Sequence, residues 1–166
     1  MMNNISKHIT YNEAVYSDTA KRLGIKNTPN EEQLVNMKIV ANFVFEPLRN
    51  HFNTNIGISS FFRSKALNKA IKGSKSSQHV KGEAIDIDAD IYNKITNKQI
   101  FDYVKDNLEF DQLIYEYGTD ENPDWVHVSY TMDRPNRKQI LRTTRVNGKQ
   151  KTETYSVRSV VHVSIC

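Results

Sequence analysis

The chain has 166 residues, 38% of them hydrophobic and 25% charged, a size and composition suited to one globular domain with a core of its own. No apolar run reaches the ~20 residues that span a bilayer, and the N-terminal stretch MMNNISKHITYNEA lacks the apolar centre of a secretion signal. The single cysteine, Cys166, excludes an intrachain disulfide and a cysteine-based zinc cluster, so a metal site here has to be built from His, Asp and Glu.

Thr10 and Glu13 have capping-box spacing, which predicts a short helix from about Tyr11, and a second from Asp18 to Leu23 stops at Gly24. Thr28-Pro29-Asn30-Glu31 offers a cap, a proline at the first helical position and an acid at the third. Leu34, Met37, Val40, Ala41, Val44 and Leu48 then recur at helical spacing, so this is the longest helix and those residues face the core. Residues 55–62 read as a strand, Ser64 caps a helix ending at Gly73, and residues 72–77 form a polar loop. Ala84 to Asp88 alternates as a strand should, and Asn97 caps a helix carrying Ile100, Phe101, Val104 and Leu108. Asp111 to Tyr117 and Trp125 to Tyr130 are strands rich in aromatic and β-branched residues, and Asn147-Gly148 between two polar alternating runs predicts a two-residue hairpin.

Helices early and strands late, with mostly hairpin-length connections, give an α+β class: helices packed on a central antiparallel sheet, with a C-terminal β-hairpin. Residues 1–130 are expected to form the main domain. Residues 131–166 are expected to be a basic hairpin extension packed on it or continuing it. That segment carries eight Lys or Arg against two acids and dominates the chain's net charge of +4. Such a segment is drawn to polyanions, nucleic acid among them, or is simply a solvated hairpin. Apart from Tyr155, no aromatic residues interleave the basic ones and no nucleic-acid motif is present, which disfavours a nucleic-acid partner.

Chemistry concentrates in two segments. In Ser77-Gln78-His79-Val80-Lys81-Gly82-Glu83-Ala84-Ile85-Asp86, His79 and Asp86 converge only if the chain turns between them, and Gly82 permits the turn. In Asp124-Trp125-Val126-His127-Val128-Ser129-Tyr130, Val126 and Val128 point to the core, which turns Trp125, His127 and Ser129 the other way. His79, Asp86 and His127 make a three-ligand set, the number that catalytic zinc sites commonly use while leaving a fourth position for water. A base that is not itself a ligand is also needed. Asp124 is the first candidate, re-aimed by a turn or bulge after Pro123, with Glu121 as fallback. Arg63 supplies a cation for a developing oxyanion. Alone, His79 and His127 read as a loop and a strand histidine, Arg63 as a sheet-edge cover and Asp124 as a turn residue; only their joint occurrence points to a site. His8, His51 and His162 lack such surroundings. Asp86-Ile87-Asp88-Ala89-Asp90 is no EF-hand, because Ile91 and Asn97 stand where glycine and glutamate are required.

The string from Ser77 to Asp86, with Trp125-Val126-His127 downstream, resembles the D-alanyl-D-alanine carboxypeptidase family of zinc peptidases, which includes wall-cleaving carboxypeptidases, vancomycin-resistance dipeptidases and phage endolysins. Ser77, His79, Asp86, Asp124 and His127 match that family's spaced pattern, and Phe62-Arg63-Ser64 is similar to its substrate-binding arginine segment. The resemblance covers roughly residues 5–130 and extends most closely to the short phage-type members. It implies one zinc ion per chain on His79, Asp86 and His127, Asp124 as general base, Arg63 stabilising the tetrahedral intermediate and orienting the peptide, and Ser77 touching substrate. It also implies hydrolysis of peptidoglycan stem peptides. The protein is expected to be a monomer, and the charge of the basic segment, which lies outside the resemblance, makes anionic wall polymers a further expected partner. With no signal sequence, such an enzyme would be made in the cytoplasm and reach the wall after host lysis or by another export route. The alternative is a non-catalytic zinc-containing binding module on the same fold, as hedgehog signalling domains illustrate.

Overall fold

The computed structural model describes residues 4–156. Six helices, α1 (Tyr11–Val15), α2 (Asp18–Leu23), α3 (Glu31–Val40), α4 (Glu46–Phe52), α5 (Lys65–Ala70) and α6 (Asn97–Asn107), accompany six strands: β1 (Gly57–Ser60), β2 (Ala84–Asp88), β3 (Gln112–Glu116), β4 (Trp125–Ser129), β5 (Gln139–Val146) and β6 (Lys149–Thr154). The strands form one sheet in the order β1-β2-β4-β3-β5-β6. All neighbours run antiparallel except β3 and β5, which are parallel. This is the expected α+β class with one parallel pair added. No helix among the described residues is long and apolar enough to cross a membrane.

Local chemistry explains most boundaries. Thr10 and Ser17 cap α1 and α2 by accepting from the backbone N–H three residues on, and Gly24 ends α2 in the left-handed region. α3 starts at a full capping box between Asn30 and Gln33, so Asn30 is the cap and Pro29 precedes the helix. α3 and α4 are joined without a break through a π-helical turn, Ala41–Phe45, in which the Glu46 N–H reaches Ala41. Pro47 follows directly. A proline there has no N–H and would press its ring on the carbonyl four residues back, and the wider turn accommodates it. α6 is capped by Thr96 with Gln99, leaving Asn97 inside the first turn.

Met37, Val40, Ala41, Val44 and Leu48 from the α3–α4 helix are buried, as are Ile100, Phe101 and Val104 of α6. They pack against one face of the sheet, made by Ile85, Ile87, Leu113, Tyr115, Val126 and Val128. Because side chains alternate along a strand, Asp86, Gln112, Ile114, Glu116, Trp125 and His127 fall on the other face. At the far edge the Asn147-Gly148 turn has positive φ at both residues, the two-residue geometry that matches strand twist. β5 and β6 thus continue the main sheet; the rest of the C-terminal segment, 157–166, with His162 and Cys166, lies outside the described residues.

Candidate metal centre

The face of the sheet opposite this core carries a cavity of about 500 Å³. His79 comes from a short 3₁₀ turn, Gln78–Lys81, ended by Gly82 at φ 75°. A Cβ on Gly82 would stand 2.5 Å from the Gln33 carbonyl oxygen, so the helix α3 and this turn can only approach because the position is glycine. Asp86 and His127 sit directly opposite one another on β2 and β4. The chain reversal at Gly82 then brings His79 onto both.

The three side chains are buried and offer ligand atoms within 4.8 Å of one another. His79 Nε2 is 3.1 Å from Asp86 Oδ1, His127 Nδ1 is 2.8 Å from the same oxygen, and the two ring nitrogens are 3.2 Å apart. His79 Nδ1 lies 2.6 Å from the Phe61 carbonyl, which accepts only if that nitrogen carries the proton. Burial depresses the His79 pKa, outweighing the pull of Asp86, so the ring is neutral near pH 7 and Nε2 holds a bare lone pair. Burial also opposes ionisation of Asp86, but the His127 ring, 2.8 Å from Oδ1, holds its carboxyl well below the usual range. A lone pair and a carboxylate oxygen therefore face each other in a buried pocket, an arrangement that calls for a cation between them. The carbonyl behind His79 is the type of partner that orients a metal-ligating imidazole. The donor set fits zinc: two imidazoles and one carboxylate, with the cavity beside them.

The predicted residues divide around this group. Arg63 lines the cavity, donates from Nη2 to Asp86 Oδ2 at 2.5 Å and from Nε to Ser60 Oγ at 2.9 Å. Ser77 lines it as well. Asp124 does not. It is exposed, its backbone N–H donates to the Glu116 carbonyl, and it borders a shallow depression with Tyr117, Gly118, Trp125, Thr144 and Arg145. Glu121 is exposed too.

Besides Asp86, the cavity wall carries a second acid, Glu116, which chain spacing does not single out. It faces Trp125 across the β3–β4 ladder, while Ile114 two residues earlier faces His127, so Glu116 stands diagonally beside a ligand on the same face. Burial pushes its carboxyl up, with His127 pulling down and Asp86 adding to the rise. The signal was present in the alternation of Gln112-Leu113-Ile114-Tyr115-Glu116, whose apolar Leu113 and Tyr115 belong to the core and turn Glu116 to the site.

Among curated proteins no match to the chain was found. The family model for Peptidase M15 matches residues 7–129, well over half of the chain and containing every residue of the metal group. The chain belongs to the Peptidase M15 family, the D-alanyl-D-alanine carboxypeptidase type of zinc peptidases.

Proposed function

We propose that this peptidase holds one zinc ion on His79, Asp86 and His127 and hydrolyses the stem peptides of bacterial peptidoglycan, as a D,D-carboxypeptidase or an endolysin-type L-D endopeptidase. The observation that carries the reading is the buried imidazole–carboxylate–imidazole group opening on a cavity that also presents Glu116 and Arg63, in a chain of this family. A zinc ion, when bound, lowers the pKa of a coordinated water toward ~7 and polarises a carbonyl.

The chain's own residues supply the rest. Glu116 accepts the proton of the attacking water as its oxygen bonds to the scissile carbonyl carbon, then returns that proton to the leaving amine as the C–N bond breaks. Its partial burial favours this double role, because a carboxyl with a raised pKa both takes and gives a proton closer to neutrality. The Arg63 guanidinium is placed to stabilise charge on the carbonyl oxygen while its contact with Asp86 keeps that ligand oriented. Ser77, which also lines the cavity, contacts the peptide.

The test is metal analysis followed by digestion of purified cell walls with mass spectrometry of the products. The expected outcome is one zinc per chain and new peptide ends that vanish on chelation and return with zinc. Glu116→Gln should keep the metal and lower kcat by about 10²–10⁴-fold. Asp124→Ala, made in parallel, decides the identity of the base: loss of activity there with Glu116→Gln active would transfer the role to Asp124. A protein that binds zinc and leaves walls and stem peptides intact would instead be a binding module.

A further inference from the structure

The family match ends at residue 129, yet residues 7–129 do not enclose the cavity by themselves. Leu141 and Thr143 of β5 and Gln150 and Thr152 of β6 line it too. The register shows why. Ile114 faces His127 on one side and Leu141 on the other; Glu116 faces Trp125 on one side and Thr143 on the other; and Thr143 faces Thr152. Directly opposed residues project from the same face. One row of side chains thus runs Asp86, His127, Ile114, Leu141 across four strands, and a second runs Trp125, Glu116, Thr143, Thr152.

The chemistry of this added wall is neutral. Thr143 is buried and its hydroxyl lies 3.1 Å from that of Thr152, while Thr152 and Gln150 themselves are exposed to the cleft. Lys149 and Lys151 alternate onto the other face of β6, away from the cavity. Arg145, opposite Gln150 and so on the same face, lies over the Tyr117 ring and does not line the cavity. The hairpin, basic as a whole, therefore shows the cavity one apolar side chain and three uncharged hydrogen-bonding ones. That surface suits amide groups and small uncharged side chains rather than an anionic polymer.

We propose that the β5–β6 hairpin is a substrate subsite, against which an uncharged stretch of peptide lies on one side of the cleaved bond, held by Gln150 and Thr152 and packed on Leu141. This rests on the peptidase reading of the cavity. Thr143 stands beside Glu116 in the β3–β5 register and contacts Thr152 behind the wall.

The test compares the parent with a Gln150→Ala/Thr152→Val double variant, with Thr152→Tyr, and with Lys151→Gln as an opposite-face control, on a synthetic wall stem peptide. Loss of two hydrogen bonds should raise KM by about 10-fold with kcat within about 2-fold. Thr152→Tyr should raise KM further by filling the cleft, and the control should match the parent. Zinc content should be unchanged in all and melting temperature should fall by no more than about 4 °C where the Thr143–Thr152 contact is lost, which separates a binding role from a folding one. A parent that hydrolyses the peptide and variants with its KM would overturn the subsite and leave the peptidase reading standing. Should the parent fail to hydrolyse, amide shifts of residues 139–154 on adding the peptide, absent in the double variant, would support the subsite while the peptidase reading falls. No such shifts in an inactive parent would overturn both.

Discussion

At the scale of single residues, the centre depends on one bend. His79 and Asp86 meet because Gly82 turns left-handed under α3, where any Cβ would strike the Gln33 carbonyl. Gly82→Ala is expected to cost about 1–3 kcal/mol through strain and contact together. Because the strain sits between two of the proposed ligands, it should also weaken the proposed zinc binding, which competition with a chelator measures. The three proposed ligands could be named from the sequence, since two convergent segments and the glycine between them carry the pattern. The acid on the cavity wall could not be named by spacing. Asp124 has the right interval from His127 along the chain, while Glu116, the base proposed here, lines the cavity from a neighbouring strand, through a register that only pairing reveals.

At the scale of elements, the caps and the strand alternation were legible, with boundaries displaced where two capping residues compete. Capping preference alone favours Asn97 at the start of α6; the cap is Thr96, and Asn97 is instead fully buried. Its side-chain oxygen accepts from the Ala89 N–H at 2.7 Å, and its amide nitrogen donates to the Asp124 carbonyl at 2.9 Å and to Asp88 Oδ1 at 3.1 Å. One amide thereby ties the start of α6 to the end of β2 and the beginning of β4, the two strands that carry Asp86 and His127. Asn97→Ala leaves the buried Ala89 N–H and Pro123 carbonyl without this partner and should destabilise the protein by about 2–4 kcal/mol in denaturant unfolding. The π turn before Pro47 was invisible to a periodicity that treats the α3–α4 helix as uniform.

At the scale of the whole molecule, the least legible feature was how the chain passes from β4, across the end of β3, to β5. Asp111, with no exposed surface, is the clamp. Burial opposes its ionisation, but Arg134 and Arg137 from the crossing segment both donate to it and hold its carboxyl far below the usual range, and Gln78 Nε2 donates from the His79 turn at 3.1 Å. A carboxyl whose pKa is lowered on folding stabilises the protein above its unfolded value of about 3.9 and loses that contribution as pH falls below it. Both arginines are half exposed, so at pH 7 Asp111→Asn should cost about 2 kcal/mol, discounted from a fully buried pair. That corresponds to roughly 4–8 °C in melting temperature. The gap between parent and variant should close as melting is followed below about pH 4.

The parallel β3–β5 pair also orders events during synthesis. β3 lies inside the sheet, yet one of its two partners is made after β4, beyond the clamp. A nascent chain halted after residue 130 would hold all three proposed ligands and still present β3 as a bare edge, open to pairing with other chains. Closure waits for the distant strand, so maturation should be slow and governed by that last docking step.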